Sequence, residues 1–138
     1  DVDFPFGLGE HPISAVAWVR GGGAGQAIVS ERGGVNWLYA DAIDGNLTSD
    51  LSMSVRVKSS LHSDGVITDG RWHRVLVAWD GTDLILGIDG EEVARVPRSG
   101  PGVSVAGLRI GAGGHLAPGS HWFGSIDDVR IYGRALHP

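Results

Sequence analysis

The sequence predicts an all-β fold, an antiparallel sandwich of about eight short strands. Glycine and proline, 23 and 6 of the 138 residues, divide the chain into short apolar runs. None of these runs has the length or the 3.6-residue period of a helix that could connect two parallel strands. Two Asp-Gly pairs, Asp80-Gly81 and Asp89-Gly90, separate apolar runs in the second half. This pattern is the strongest short-range signal of an antiparallel hairpin.

Four strands are predicted in the first half of the chain. Residues 13–20 form an apolar, β-branched and aromatic run between Pro12 and three consecutive glycines, which suits a buried strand. Residues 26–30 and 36–40 are shorter candidates on either side of a glycine turn. In residues 51–58, apolar side chains alternate with serine, arginine and lysine. That strand is therefore expected to bury one face and expose the other.

A three-stranded meander is predicted in the second half. Residues 71–79, 84–89 and 93–96 are apolar runs joined by the two Asp-Gly turns, and residues 108–111 supply a further strand.

The last predicted strand covers residues 124–132. Its apolar residues Ile126, Val129 and Ile131 break the strict alternation of a regular strand. The break predicts a β-bulge near Asp127-Asp128.

The composition excludes several classes of function. A formal net charge of −5 argues against a surface that follows nucleic acid phosphates, so no nucleic acid partner is expected. The absence of cysteine rules out disulfides, a thiol nucleophile and Cys-ligated metals. No apolar run approaches the roughly 18 residues of a membrane span, so membrane insertion is not expected. The first residue, Asp1, predicts a chain that is processed or cut from a longer one.

Five motifs follow one another in a fixed order through the second half. They read ITDGRWHRV from residue 67, WDGT from residue 79, IDG from residue 88, LRIG from residue 108 and FGSIDDVRIY from residue 123. This ordered set resembles the LamG-like (laminin G-like) domains of the concanavalin A-like lectin/glucanase superfamily. Residues 13–19 are similar to an early strand of that family. The resemblance predicts a single LamG-like domain over residues 1–138.

The resemblance implies a jelly-roll sandwich of two curved antiparallel sheets in a secreted or cell-surface protein. It also implies a noncatalytic, lectin-like module that binds a polysaccharide or glycan, or a protein partner. Glycosidases of the superfamily carry a Glu-x-Asp-x-x-Glu strand motif, to which none of the four glutamates, Glu10, Glu31, Glu91 and Glu92, belongs. Without two carboxylates placed to flank a sugar, an enzyme is not expected.

The resemblance also implies that the first strand of the family is missing from this chain. That strand would pair with the strand holding Ile126 and Tyr132 (residues 126–132), which is then left with an unpaired side. Either the chain is a fragment or a neighbouring subunit fills the gap, because an unpaired apolar edge is a template for another strand. The alternative function is therefore a structural or adhesion subunit that forms homo-oligomers through this edge.

Calcium is the cofactor that the resemblance implies. Superfamily enzymes place a calcium-ligating Asp just before a Val-Arg pair, which corresponds here to Asp127, with Asp128 and Asp3 as further ligands. Carboxylates are the oxygen ligands that calcium prefers. The alternative is that Asp127 and Asp128 bulge the strand and pair with Arg130 or Arg109.

The five tryptophans divide into two predicted groups. Trp18, Trp72 and Trp79 lie within predicted strands and are expected in the core. The others lie beside turns, where a sugar-binding platform would need exposed flat rings next to planar polar groups. The residues predicted to form this platform are Trp37, Tyr39, Trp122, His121 and Asn36. The alternative is that these rings cap the ends of the sandwich.

Overall fold

Ten β-strands form two five-stranded sheets in the part of the chain that the computed structural model describes, residues 12–31, 35–51, 60–98, 107–113, 116 and 118–138. In chain order the strands are β1 (Ile13–Gly21), β2 (Ala27–Glu31), β3 (Asn36–Ala40), β4 (Asn46–Ser49), β5 (Leu61–Val66), β6 (His73–Trp79), β7 (Asp83–Ile88), β8 (Glu91–Pro97), β9 (Leu108–Ile110) and β10 (Gly124–Tyr132). These described residues contain no helix, and hence none that could span a membrane.

The two sheets are antiparallel throughout. The front sheet has the strand order β10-β1-β6-β7-β8, and the back sheet has the order β5-β4-β3-β2-β9. Consecutive strands β6, β7 and β8 are neighbours in the front sheet, as the Asp-Gly turns predicted. At the second turn, Asp89 and Gly90 have φ of 54° and 88°, the positive values that a two-residue hairpin loop requires. The predicted all-β sandwich is confirmed.

A β-bulge interrupts the pairing of β1 with β10. Val16 pairs with Arg130 and Trp18 pairs with Asp127, so one residue of β1 lies opposite two residues of β10. Asp128 lies within the bulge and has a φ of 51°. The bulge predicted near Asp127-Asp128 is confirmed. Among the described strands, β10 has β1 as its one neighbour and forms an edge of the front sheet.

The core lies between the two sheets and is built from one face of each strand. On β1, Ala15, Ala17 and Val19 are fully buried in it. The back sheet contributes Leu38 and Leu47, which are also fully buried. Because side chains alternate along a strand, the even-numbered residues of β1 are directed to the outer face of the front sheet.

The C-terminal residues cover part of this outer face. The apolar residues that pack together there are Val16, Leu76, Ala78, Ala135 and Leu136. The Ser14 hydroxyl donates a hydrogen bond of 2.7 Å to the Arg134 carbonyl oxygen and fixes the start of this segment. The covered part of the outer face ends near Val16, and the next outward residue along β1 is Trp18.

The sequence prediction missed two strands of the back sheet. β4 and β5 have few apolar residues, and β5 contains the pair Asp64-Gly65, which reads as a turn. The predicted strand over residues 51–58 lies outside the described residues except for Leu51, which is buried and belongs to a turn.

Candidate functional site

Two tryptophans lie exposed on the outer face of the front sheet. Trp18 is 39% exposed although both of its neighbours in β1, Ala17 and Val19, are fully buried. Trp72 directly precedes β6 and is 43% exposed. The prediction that Trp18 and Trp72 belong to the core is therefore wrong.

The strand register brings these two rings into one patch. Trp18 lies opposite Arg74 of β6 on one side and Asp127 of β10 on the other. Since Val19 pairs with His73, the neighbouring outward residue Arg20 lies across from Trp72. The Arg20 guanidinium carbon is 6.0 Å from the centroid of the Trp72 ring, within the range of a cation–π interaction.

Between the rings is an open groove of about 340 Å³, lined by Trp18, Trp72, Asp127 and Asp128. We call it the Trp18–Trp72 groove. Two flat apolar rings next to carboxylate acceptors are suited to a ligand that has both an apolar face and hydroxyl or amino groups at its rim.

The two carboxylates of the groove have different partners. Asp127 Oδ1 accepts a hydrogen bond of 2.9 Å from the backbone N–H of Asp128. Asp128 Oδ1 accepts one of 2.8 Å from Arg130 Nε, and this ion pair raises the pKa of Arg130. Within the described part of the chain, the bulge therefore places beside the rings one ion-paired carboxylate, Asp128, and one carboxylate whose hydrogen bond comes from a backbone amide, Asp127.

His73, the residue after Trp72, is held between two carboxylates. Its Nδ1 lies 2.7 Å from Asp89 Oδ2 and its Nε2 lies 2.8 Å from Asp69 Oδ1. Carboxylates only accept, so both contacts are hydrogen bonds when both ring nitrogens of His73 carry a proton. Burial lowers the pKa of His73, but the hydrogen bonds to Asp89 and Asp69 outweigh it and the pKa is raised. This clamp fixes the backbone on the C-terminal side of Trp72.

The structure buries both tryptophans of the predicted sugar platform. Trp37 has no exposed surface, and its Nε1 donates a 2.9 Å hydrogen bond to Glu31 Oε1. Trp122 is 8% exposed and lies so close to Gly22 that a Cβ there would come within 2.4 Å of the ring. The prediction that these two rings offer stacking faces is wrong, because both belong to the core.

The other three residues of that platform lie at or near the surface. Tyr39 is half-buried and its hydroxyl donates to Asp50 Oδ1 at 2.7 Å; burial raises its pKa. Asn36 is half-buried at the start of β3, and His121 is exposed and forms a bridge with Ala27 of β2. With Trp37 and Trp122 in the core, these three polar side chains have no exposed tryptophan from the predicted set beside them.

The alternation of side chains along the strands could have predicted that these rings are exposed. Trp18 is an even number of residues from Ser14 and Arg20, the polar residues of its strand, so all three lie on one face. Trp72 is likewise two residues from Arg74. In an alternating strand, polar residues mark the solvent face.

Two of the three predicted calcium ligands lie among the described residues. Asp127 and Asp128 lie side by side in the bulge, and Asp3 lies outside the described residues. A different group, Asp41, Asp44 and His62, has ligand atoms within 4.8 Å of one another and could hold a metal ion. Its imidazole nitrogen suits a transition metal better than calcium.

Comparison with protein families places the chain. A laminin G-type sequence model, described as concanavalin A-like lectin/glucanases superfamily, matches residues 2–138. The chain belongs to this superfamily. The family resemblance of the ordered motifs is confirmed, and so is the jelly-roll type of sandwich.

Three known proteins show how far the likeness extends. Human sex hormone-binding globulin is 45% identical over 58 residues, which are 40% of this chain and 14% of the globulin. A Bacteroides ovatus protein proposed to bind carbohydrate has a TM-score of 0.78 at 16% identity, over 99% of this chain and 41% of its own. The CBM40 of the Ruminococcus gnavus IT-sialidase, bound to α2,3-sialyllactose, has a TM-score of 0.69 at 16% identity. The match covers 91% of this chain and 77% of the CBM40 chain. At these identities, the two structures show a shared fold.

Proposed function

We propose that this chain is a noncatalytic glycan-binding module and that the Trp18–Trp72 groove is its binding surface. The observation that supports this most strongly is the pair of exposed indole rings beside Asp127 on the outer face of the front sheet. Sugars present an apolar C–H face and a rim of hydroxyls. The rings match the face, and the carboxylate accepts hydrogen bonds from the hydroxyls.

The groove is built on paired strands, so little ordering is needed when a ligand binds. Trp18 lies within β1, which pairs with β6 on one side and with β10 on the other. Trp72 is fixed from behind by the clamp of His73 with Asp69 and Asp89. A preformed site loses less conformational entropy on binding than a flexible loop. The CBM40 of the same fold, which holds sialyllactose, adds support from a relative.

The experiment is a tryptophan-fluorescence titration with the glycans that bind best on an array. We expect Trp18→Ala and Trp72→Ala each to weaken binding by more than about tenfold, as truncation of a central aromatic contact does. Phe123→Ala is the matched control, because Phe123 is 86% exposed and does not line the groove. Wild-type affinity in Trp18→Ala, or equal losses in all three variants, would contradict the proposal.

Assembly through β10 remains the alternative prediction. β10 is an edge strand among those described, but its bulge and its charged residues Asp127, Asp128 and Arg130 are features that oppose the addition of another strand. Sedimentation at increasing concentration distinguishes the two functions. A glycan-binding monomer favours the groove, and ordered oligomers without glycan favour the edge.

We also propose secretion or display on the cell surface, where glycans are met, with calcium as a structural cofactor at Asp127 and Asp128. The two adjacent carboxylates supply the oxygen ligands that calcium prefers. Calcium should then raise the melting temperature of the wild type and not that of Asp127→Asn. An unchanged wild-type melting temperature with calcium or chelator would dismiss this cofactor.

A further inference from the structure

We propose that the Trp18–Trp72 groove selects glycans without acidic groups, and that Asp127 is the residue that rejects uronic, sialic and sulfated sugars. This inference rests on the proposed function and names the ligand class of the same groove.

Both polar side chains that line the groove within the described part of the chain are acidic. The described lining residues are two tryptophans and two carboxylates, Asp127 and Asp128. The charge of Asp128 is balanced by Arg130, whose Nε lies 2.8 Å from it. Within the described part of the chain, no Lys, Arg or His nitrogen lies within 4.0 Å of an Asp127 oxygen, whose hydrogen bond comes from the Asp128 amide. In the calcium-free protein, Asp127 therefore presents an unbalanced negative charge to the ligand, which a bound calcium ion would neutralise.

The nearby cations are positioned outside the groove. Arg20 lies over the Trp72 ring at 6.0 Å, and Arg74 is the cross-strand neighbour of Trp18. Neither residue lines the groove. Among the described residues that line the groove, an acidic sugar would therefore meet the carboxylate of Asp127 and no guanidinium.

Charge complementarity then decides the ligand class. A hydroxyl donates a hydrogen bond to Asp127, and an ammonium group donates a stronger, charge-assisted one. A carboxylate or sulfate can only accept, so it would face Asp127 with like charge and without a hydrogen bond. The predicted selectivity is opposite to the sialyllactose held by the CBM40 of the same fold, so it follows from the residues of this groove and not from the fold.

The test uses a glycan array on which each backbone is printed in neutral, amino and acidic forms, with EGTA present to keep calcium out. We expect the amino and neutral forms of any backbone to bind about two- to fivefold more tightly than its acidic form, the range for one exposed charge pair. We call the ratio of the neutral-form affinity to the acidic-form affinity the gap. Asp127→Asn keeps the acceptor for the Asp128 amide and should narrow the gap about two- to fivefold. Its affinity for the neutral form should also fall, because an amide oxygen is a weaker acceptor than a carboxylate, so the readout is the ratio of the two affinities.

Two controls separate charge from folding and from the binding function itself. Asp64→Asn removes one exposed carboxylate from β5 of the back sheet and should leave the gap unchanged. Salt at about 1 M, where the screening length is about 3 Å, should narrow the gap in the wild type.

Acidic forms that bind as tightly as neutral ones, or a gap that persists in Asp127→Asn, would overturn the selectivity while leaving the glycan-binding function intact. If no glycan of any class binds the wild type, the proposed function fails and the selectivity fails with it.

Discussion

The interior of the sandwich and the outer face of its front sheet both contain tryptophans from strands or strand ends. The interior tryptophans are buried, and those of the outer face are exposed to solvent. Trp37, Trp79 and Trp122 are at most 8% exposed, whereas Trp18 and Trp72 are 39% and 43% exposed. In the interior, Trp37 and Trp79 donate their indole N–H groups to Glu31 and to the Arg98 carbonyl. On the outer face, the rings lie beside a carboxylate and an arginine.

The difference shows that the face on which a residue lies decides the role of its side chain, more than its residue type or the apolar character of its strand. Trp18 is part of the apolar run AVAWV, but Ala17 and Val19 fill the core while Trp18 does not. Trp37 follows a turn and was expected at the surface, but it is the largest of the fully buried side chains. The inner rings should therefore control stability, and the outer rings should control binding.

The largest effect is expected for Trp37→Ala. Removing this buried ring should lower the free energy of unfolding by about 3–5 kcal/mol, the cost of a large cavity. Urea denaturation measures it. The matched variant Trp37→Phe keeps most of the ring volume but loses the hydrogen bond to Glu31, and should cost less. A loss for Trp37→Ala no larger than that for Trp18→Ala would abolish the distinction between the two regions.

A smaller loss of stability is expected when the hydrogen bonds of His73 to Asp69 and Asp89 are weakened. His73→Gln should lower the free energy of unfolding by about 1–3 kcal/mol, since two hydrogen bonds to charged groups are replaced by weaker ones.

The pH dependence of the clamp has a defined sign. The folded pKa of His73 is raised above 6.5, so its contribution is complete below that pH and is lost as the pH rises through the folded pKa. The hydrogen bond to His73 lowers the pKa of Asp69, so its contribution is present above pH 3.8 and is lost as the pH falls through the folded pKa. Wild-type stability should therefore be highest between about pH 4 and 6.5. Urea midpoints across this range check it, and His73→Gln should remove the alkaline decline. If the stability of His73→Gln still declines at alkaline pH, the decline comes from other titratable groups.

The smallest effect on stability is expected for Trp18→Ala. Because the ring is partly exposed on the outer face, the loss should be about 1 kcal/mol or less. The same variant should lose glycan binding, as described above. Differential scanning calorimetry measures the stability of the variant, and a binding titration on the same preparation measures its glycan affinity. A variant of a buried tryptophan that still folds should show the opposite result, with lower stability and wild-type affinity. A large drop in stability with unchanged affinity would place Trp18 with the interior residues.

Much of the fold could be predicted from the sequence because strong local signals agree with it. β3 and β10 have the predicted bounds, and the Asp89-Gly90 turn and the bulge at Asp128 follow from turn chemistry and from broken alternation. β5 could not be predicted, because the Asp64-Gly65 pair within it carries a turn signal that strand pairing overrides.

The candidate site was less predictable, for a physical reason. Its residues come from three places, β1, the start of β6 and the β10 bulge, and only the register of the strands places Asp127 next to Trp18. The alternation of side chains along β1 could have shown that Trp18 faces outward. The distance between Trp18, Trp72 and Asp127 could not have been read from one sequence, because pairing between distant strands sets it.

The most direct test of the central claim is ¹⁹F NMR of the protein labelled with 5-fluorotryptophan, before and after addition of the glycan that binds best. Single Trp→Phe variants assign the five resonances. We predict that the resonances of Trp18 and Trp72 shift on binding while those of Trp37, Trp79 and Trp122 stay in place. A shift confined to Trp37 or Trp122, or binding with no shift of Trp18 and Trp72, would contradict the assignment of the groove as the binding surface.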